Sequence, residues 1–121
     1  MVDLETQRLE IQANLDADRT PEERNAWGQF ATPSALAAQV VEEALRYLGN
    51  VPITFLDPGV GSGAFFSALL RSAGPGQIAS ALGVELDHRF ATAATNLWGR
   101  HGLEVLNADF TRLTAPSGGW A

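Results

Sequence analysis

FLDPGVGSGAFF, residues 55–66, runs an apolar segment into a carboxylate, Asp57, and then into a glycine-rich turn. Residues 53–57 (ITFLD) read as a strand buried on both faces, and 64–72 (AFFSALLRS) as a helix that opens from the turn. A strand, a tight turn and a helix in this order form the repeating unit of parallel α/β sheets. Gly59, Gly61 and Gly63 let the backbone approach a ligand closely. Phosphate is the usual guest of such a cradle, because free N–H groups and the positive end of the helix attract an anion. Asp57, directly in front of the cradle, argues against that guest.

Outward from this unit the pattern repeats. The turn GPGQ (74–77) leads into a second buried strand over 79–85, Asp87 caps a helix over 88–100, Gly102 closes it, and 103–107 (LEVLN) form a third strand before Ala108-Asp109-Phe110. On the other side, a helix over 33–48 is started by Thr32 and Pro33, carries Leu36, Val40, Val41, Ala44 and Leu48 at three- and four-residue steps, and is stopped by Gly49. Thr20-Pro21-Glu22-Glu23 fits a capping box for a short helix to Ala26, ended by Gly28. Residues 3–16 place Leu4, Ile11 and Leu15 on one stripe of an amphipathic helix that needs a surface to pack on. The fold class is therefore α/β: an incomplete Rossmann-like three-layer sandwich of parallel strands with helices on both faces, preceded by N-terminal helices. Residues 1–27 form the helical segment, 28–115 the partial ligand-binding domain and 116–121 a tail.

Composition narrows the function. With 121 residues, 45% of them hydrophobic, the chain builds one core. No cysteine is present, and the histidines are only His88 and His101, so neither a disulfide framework nor a metal site is expected. A net charge of −6 gives no electrostatic reason to seek nucleic acid or an anionic membrane; if DNA is a partner, another segment must hold it. No apolar run approaches the roughly 20 residues of a membrane span. The N-terminus MVDLETQRLEIQ is too acidic and polar for a signal peptide, which points to a cytoplasmic protein.

Ligands of parallel sheets sit beyond the C-terminal strand ends, where Asp57, Glu85 and Asp109 fall; all three are expected to face one crevice. Gly59, Gly61 and Ala64 satisfy G-x-G-x-x-G/A, so a nicotinamide dinucleotide is one candidate. Its pyrophosphate would be repelled by Asp57, whereas a ligand bearing an ammonium and a sulfonium would be attracted. S-adenosylmethionine is such a ligand: the glycines would admit its methionyl part, Glu85 would accept its ribose hydroxyls, and Asp109 its adenine amino group beside the ring of Phe110. Each residue also has an ordinary role. The glycines turn the chain, Glu85 ends a strand, Asp87 caps a helix, Asp109 sits in a loop and Phe110 packs.

Together the segments GQFATP (28–33), FLDPGVGSGAF (55–65), GVELD (83–87) and NADF (107–110) resemble, in order and spacing, the amino-terminal half of the adenine-N6 DNA methyltransferases of restriction-modification systems. The resemblance implies S-adenosylmethionine as cofactor, with Phe30 and Thr32 around its methionine end and Asp57 and Gly61 beneath. It further implies Glu85 on the ribose, Leu86 and Phe110 flanking the adenine ring, and Asp109 on its amino group. Gly59-Val60 stands where the family commonly has Ala-Cys, a change expected to alter packing more than charge.

The family's catalytic Asn-Pro-Pro-aromatic segment does not occur in the sequence, so the chain alone is expected not to methylate DNA. A piece of a larger enzyme is the favoured explanation, beside one half of a split methyltransferase or a non-catalytic cofactor-binding domain. An RNA or protein methyltransferase of the same fold, a nicotinamide-dependent oxidoreductase and a non-enzymatic interaction module are the other functions the residues allow. The first strand would expose an edge, which predicts self-association or pairing with the rest of the enzyme.

Overall fold

Three apolar runs become three strands, β1 (Ile53–Asp57), β2 (Ile78–Glu85) and β3 (Leu103–Asn107), parallel and in the order β1-β2-β3. The computed structural model describes residues 3–23 and 31–114. Parallel neighbours require crossovers, which are helical here: α3 (Ala64–Ser72) joins β1 to β2, and α4 (His88–Trp98) with a 3-10 turn (Gly99–His101) joins β2 to β3. Among the described residues, α1 (Leu4–Ala17) and α2 (Ser34–Leu48) precede the sheet, with a helical turn beginning at Pro21 between them, and a second 3-10 turn (Phe110–Arg112) follows β3. The architecture is the expected α/β arrangement, a parallel sheet flanked by helices. Register pairs Asp57 with Gly83 and Glu85 with Asn107, so β2 and β3 reach two residues past the end of β1.

Alternation along the strands decides what the helices cover. Phe55 of β1, Ala81 of β2 and Leu103 of β3 share a register row and join Val60, Phe66, Leu97 and Trp98 in one core cluster. Phe66 stands edge-on to Trp98 with ring centroids 5.5 Å apart, and Phe55 lies 5.8 Å from Phe66. A second cluster joins Ala37 and Val41 of α2 to Ala64, Ala68 and Leu69 of α3 and to Ile53. Thr54, Leu56, Leu82 and Leu106, on the opposite sheet face, belong to neither cluster.

The surface that α1 needs is supplied by α3 and α4: Leu4 and Ile11 pack against the first cluster. Asp3 caps its start, accepting from the Thr6 N–H at 2.9 Å. Two ion pairs fasten its end to the start of α4, Arg19–Asp87 at 2.9 Å and Arg89–Asp18 at 3.1 Å. Thr20 and Glu23 form the reciprocal bonds of the capping box, at 3.2 and 3.1 Å; the rest of that short helix, with Gly28 and Phe30, lies outside the described residues. Pro33 occupies the N-cap position of α2 without a side-chain cap, so Thr32 stands ahead of the helix. No helix among the described residues is long and apolar enough to cross a membrane.

Candidate functional site

The N–H groups of the glycine turn are bound inward, to two side-chain carboxylates and two backbone carbonyls. The Gly59 N–H donates to Asp57 Oδ1 at 3.1 Å, Val60 to the Val84 carbonyl at 2.9 Å, Gly61 to Glu85 Oε1 at 2.9 Å and Gly63 to the Val60 carbonyl at 2.9 Å. Four of the five N–H groups from Gly59 to Gly63 are therefore used within the chain. The glycines divide into two kinds. Gly63, at φ +95°, lies against the Trp98 indole, and a Cβ there would collide with Nε1 and stand 2.9 Å from Cδ1. The same indole donates to the Ser62 carbonyl at 2.8 Å and locks the turn to α4. At Gly61, with φ +55°, an added Cβ would meet nothing within 4 Å, and the same holds at Gly59. Val60 is buried against Gly83, where an added Cβ would lie 2.8 Å from Val60 Cβ.

Beyond the strand ends lies a cavity of about 450 Å³, within the usual range for small-molecule sites. Thr32, Gly59, Gly61, Glu85, Leu86, Asp109 and Phe110 all line it. Asp57 and Gly63 do not: Gly63 is a packing glycine, and Asp57 lines a neighbouring apolar groove of about 430 Å³ between α2 and the outer edge of β1. The expected single crevice of three carboxylates is thus a cavity with two and an adjoining groove with one. The reason is the register, which ends β1 two residues short of β2.

The three carboxylates differ in state. Asp57 Oδ2 is buried with no hydrogen-bond partner, and burial raises its carboxyl above the ordinary value, opposed by the Gly59 N–H. Glu85 is buried and accepts from Gly61 through Oε1 and from the Asp87 N–H, at 2.9 Å, through Oε2. Asp109 caps the 3-10 turn through Oδ1, accepting from the Thr111 hydroxyl at 2.6 Å and its N–H at 3.0 Å, and these bonds lower its carboxyl. The helix-capping role of Asp87 is also present, with Oδ1 accepting from the Arg89 N–H at 2.9 Å. Leu86 is half-exposed, and with Phe110 it gives the cavity an apolar rim.

Arg8 and Gln12 of α1 also line the cavity, which the sequence motifs did not indicate. Arg8 is 1% exposed and holds Glu5 through two bonds of 2.6 and 2.8 Å, Ser62 Oγ at 2.9 Å and Ser34 Oγ at 3.1 Å. Glu5 in turn accepts from the Ser34 and Ser67 hydroxyls at 2.6 and 2.8 Å. These bonds, led by that from Arg8, hold the Glu5 carboxyl down to about 2. The available signal was positional: residue 8 falls on the stripe of Leu4, Ile11 and Leu15, where a charged side chain is out of place.

Among the described residues no group of three or more metal-ligating side chains comes together. A larger depression, about 850 Å³, runs along α2 alone past Leu36, Val40, Tyr47 and Leu48, with Gln39, Glu42 and the Glu43–Arg46 ion pair beside them; all of its lining comes from one helix, whereas several elements converge on the strand-end cavity.

No known family model matches the sequence. The fold is similar to that of PH1948 from Pyrococcus horikoshii, provisionally described as an RNA methyltransferase. The TM-score is 0.65 at 17% identity, over 95% of this chain and 55% of that one. It is also similar to lmo1582 from Listeria monocytogenes, provisionally described as a class I S-adenosylmethionine-dependent methyltransferase, with TM-score 0.55 at 17% identity over 95% and 39% of the two chains. The chain thus spans about half, or less, of the length of these structures and shares their fold.

Proposed function

We propose that the chain is the S-adenosylmethionine-binding portion of a DNA adenine-N6 methyltransferase. One observation carries the choice of ligand: the glycine turn uses its N–H groups within the chain, so it is not a phosphate nest, and the cavity beside it presents carboxylates. A dinucleotide would place its pyrophosphate where the donors are already engaged. The residues fit S-adenosylmethionine. Gly59 and Gly61 leave space that a Cβ would fill, Glu85 retains lone pairs for ribose hydroxyls, Leu86 and Phe110 supply apolar lining for a planar ring, and Asp109 supplies an acceptor for its amino group. Asp57 acts from the adjoining groove, through the field of its buried charge and through the Gly59 N–H it holds.

When bound, the cofactor supplies a methyl group on a sulfonium centre, ready for in-line displacement. The residues of this chain bind and orient it; the Asn-Pro-Pro-aromatic segment that would hold the target base is absent from the sequence, so binding without transfer is the activity proposed for the chain as given. The DNA adenine target rests on the resemblance of the four motifs. RNA is the second reading, favoured by the fold likeness to PH1948. Digesting methylated DNA and RNA products of a polypeptide carrying the catalytic segment would separate the two by the modified nucleoside released.

Calorimetric titration with S-adenosylhomocysteine, with NADH as control, tests the ligand. Micromolar binding of S-adenosylhomocysteine, weakened in Glu85→Gln and Asp109→Ala, is the expected result. Undiminished binding in both variants would overturn the site, and binding of NADH alone would overturn the cofactor.

A further inference from the structure

Resting on the S-adenosylmethionine reading of the cavity, we infer that the Arg8 guanidinium receives the carboxylate of the cofactor's amino-acid end, which makes α1 part of the binding site. The order of the sheet sets the direction of the ligand. Asp109 follows β3, Glu85 ends β2, and Ser62, which accepts from Arg8, follows β1. Adenine at Asp109 and ribose at Glu85 leave the amino-acid end at the β1 side, under α1. A carboxylate there needs donors, and the N–H groups of the turn are largely taken. Arg8 is the one basic side chain among the described residues lining the cavity.

Its geometry suits the task. Of the five guanidinium N–H groups, four are used by the bonds to Glu5, Ser34 and Ser62, which fix the plane of the group. The remaining N–H is on Nη1, the nitrogen that reaches Ser62 on the cavity wall. The Ser62 hydroxyl accepts from Arg8 and keeps its own proton to donate, so two adjacent donors are available to one carboxylate. Because Glu5 already balances the charge of Arg8, the carboxylate is held by directed hydrogen bonds more than by net charge.

The test compares S-adenosylhomocysteine with S-adenosyl-3-thiopropylamine, which keeps the adenosine, thioether and ammonium but lacks the carboxylate, by calorimetry on the 121-residue chain. The unaltered chain should bind S-adenosylhomocysteine at least about tenfold more tightly, the scale of one charge-assisted hydrogen bond. Arg8→Gln, checked for folding by circular dichroism, should bind the two alike. Equal affinities within about twofold in the unaltered chain overturn the Arg8 assignment while leaving the cofactor reading intact. Discrimination that survives in a folded Arg8→Gln variant overturns it as well. Failure of the unaltered chain to bind either ligand overturns the cofactor reading, and the assignment with it. The comparison in the unaltered chain stands even if the variant does not fold.

Discussion

Asp57 holds one carboxylate oxygen on the Gly59 N–H and buries the other without a partner. Ionising it in that place costs stability: its carboxyl is raised by burial, so the cost is absent below the ordinary value of 3.8 and grows as pH rises through the raised one. Asp57→Asn is therefore expected to stabilise the ligand-free chain at neutral pH by on the order of 1 kcal/mol in urea denaturation, with the gain fading in acid. The same change should weaken S-adenosylmethionine more than S-adenosylhomocysteine, since the former carries the extra sulfonium charge. Equal weakening would separate Asp57 from the cofactor's charge. Gly63 and Gly61 give a second contrast. Gly63→Ala drives a methyl into the Trp98 indole at a left-handed φ and should cost about 2–4 kcal/mol. Gly61→Ala carries only the conformational cost, about 1 kcal/mol, and places its methyl in open space at the cavity wall. Denaturation midpoints should rank the two in that order, and ligand affinity should fall in Gly61→Ala despite its milder effect on stability.

At the scale of elements, α1 is a clasp held by the Glu5–Arg8 pair and three serine hydroxyls. Glu5 is ionised in the folded chain down to about 2, against 4.5 as its ordinary value. A lowered carboxyl contributes stability above 4.5 that is lost as pH falls toward about 2. Thermal unfolding followed across that window should show a steeper acid loss in the unaltered chain than in Glu5→Gln; parallel curves would remove Glu5 from the clasp. The strands and helices themselves were legible, because short apolar runs between turn residues, glycine stops and the Asp87 cap are local signals; β1, α3 and β3 fall on the residues expected, although β1 is fully buried only at Ile53 rather than along both faces. Other features depended on contacts distant in sequence. The Arg8–Ser62 bond spans 54 positions: the apolar stripe marks Arg8 as out of place, but no local pattern points to Ser62 as its partner. Gly63 reads as a cradle glycine in the motif, and only the approach of Trp98, 35 residues later, shows that it packs. Asp57 and Glu85 looked equivalent as strand ends until the register set them two residues apart.

For the whole molecule, the unanswered demand is at β1. Its outer edge pairs with no strand among the described residues, and the groove beside it is lined by Val40, Val41, Leu45, Leu48 and Leu56. Val40 and Leu48 are about half exposed, at 48% each, on the flank of α2 that continues from this groove. An open parallel edge offers backbone donors and acceptors to another chain, and an adjoining apolar groove adds the burial that makes such pairing favourable. The isolated chain should therefore self-associate, with a sedimentation coefficient that rises with concentration. Val40→Lys should reduce the rise, because it puts a charge on the exposed flank while leaving the buried Val41 and Ala37 contacts of α2 in place. A species that sediments as a monomer at every concentration and unfolds cooperatively would show that the edge is protected within the chain. Among the described residues the cavity beyond the strand ends shares only Pro58 and Phe65 with this groove, so ligand affinity in Val40→Lys should match that of the unaltered chain. A parallel loss of affinity and association would instead mean that a second copy completes the site.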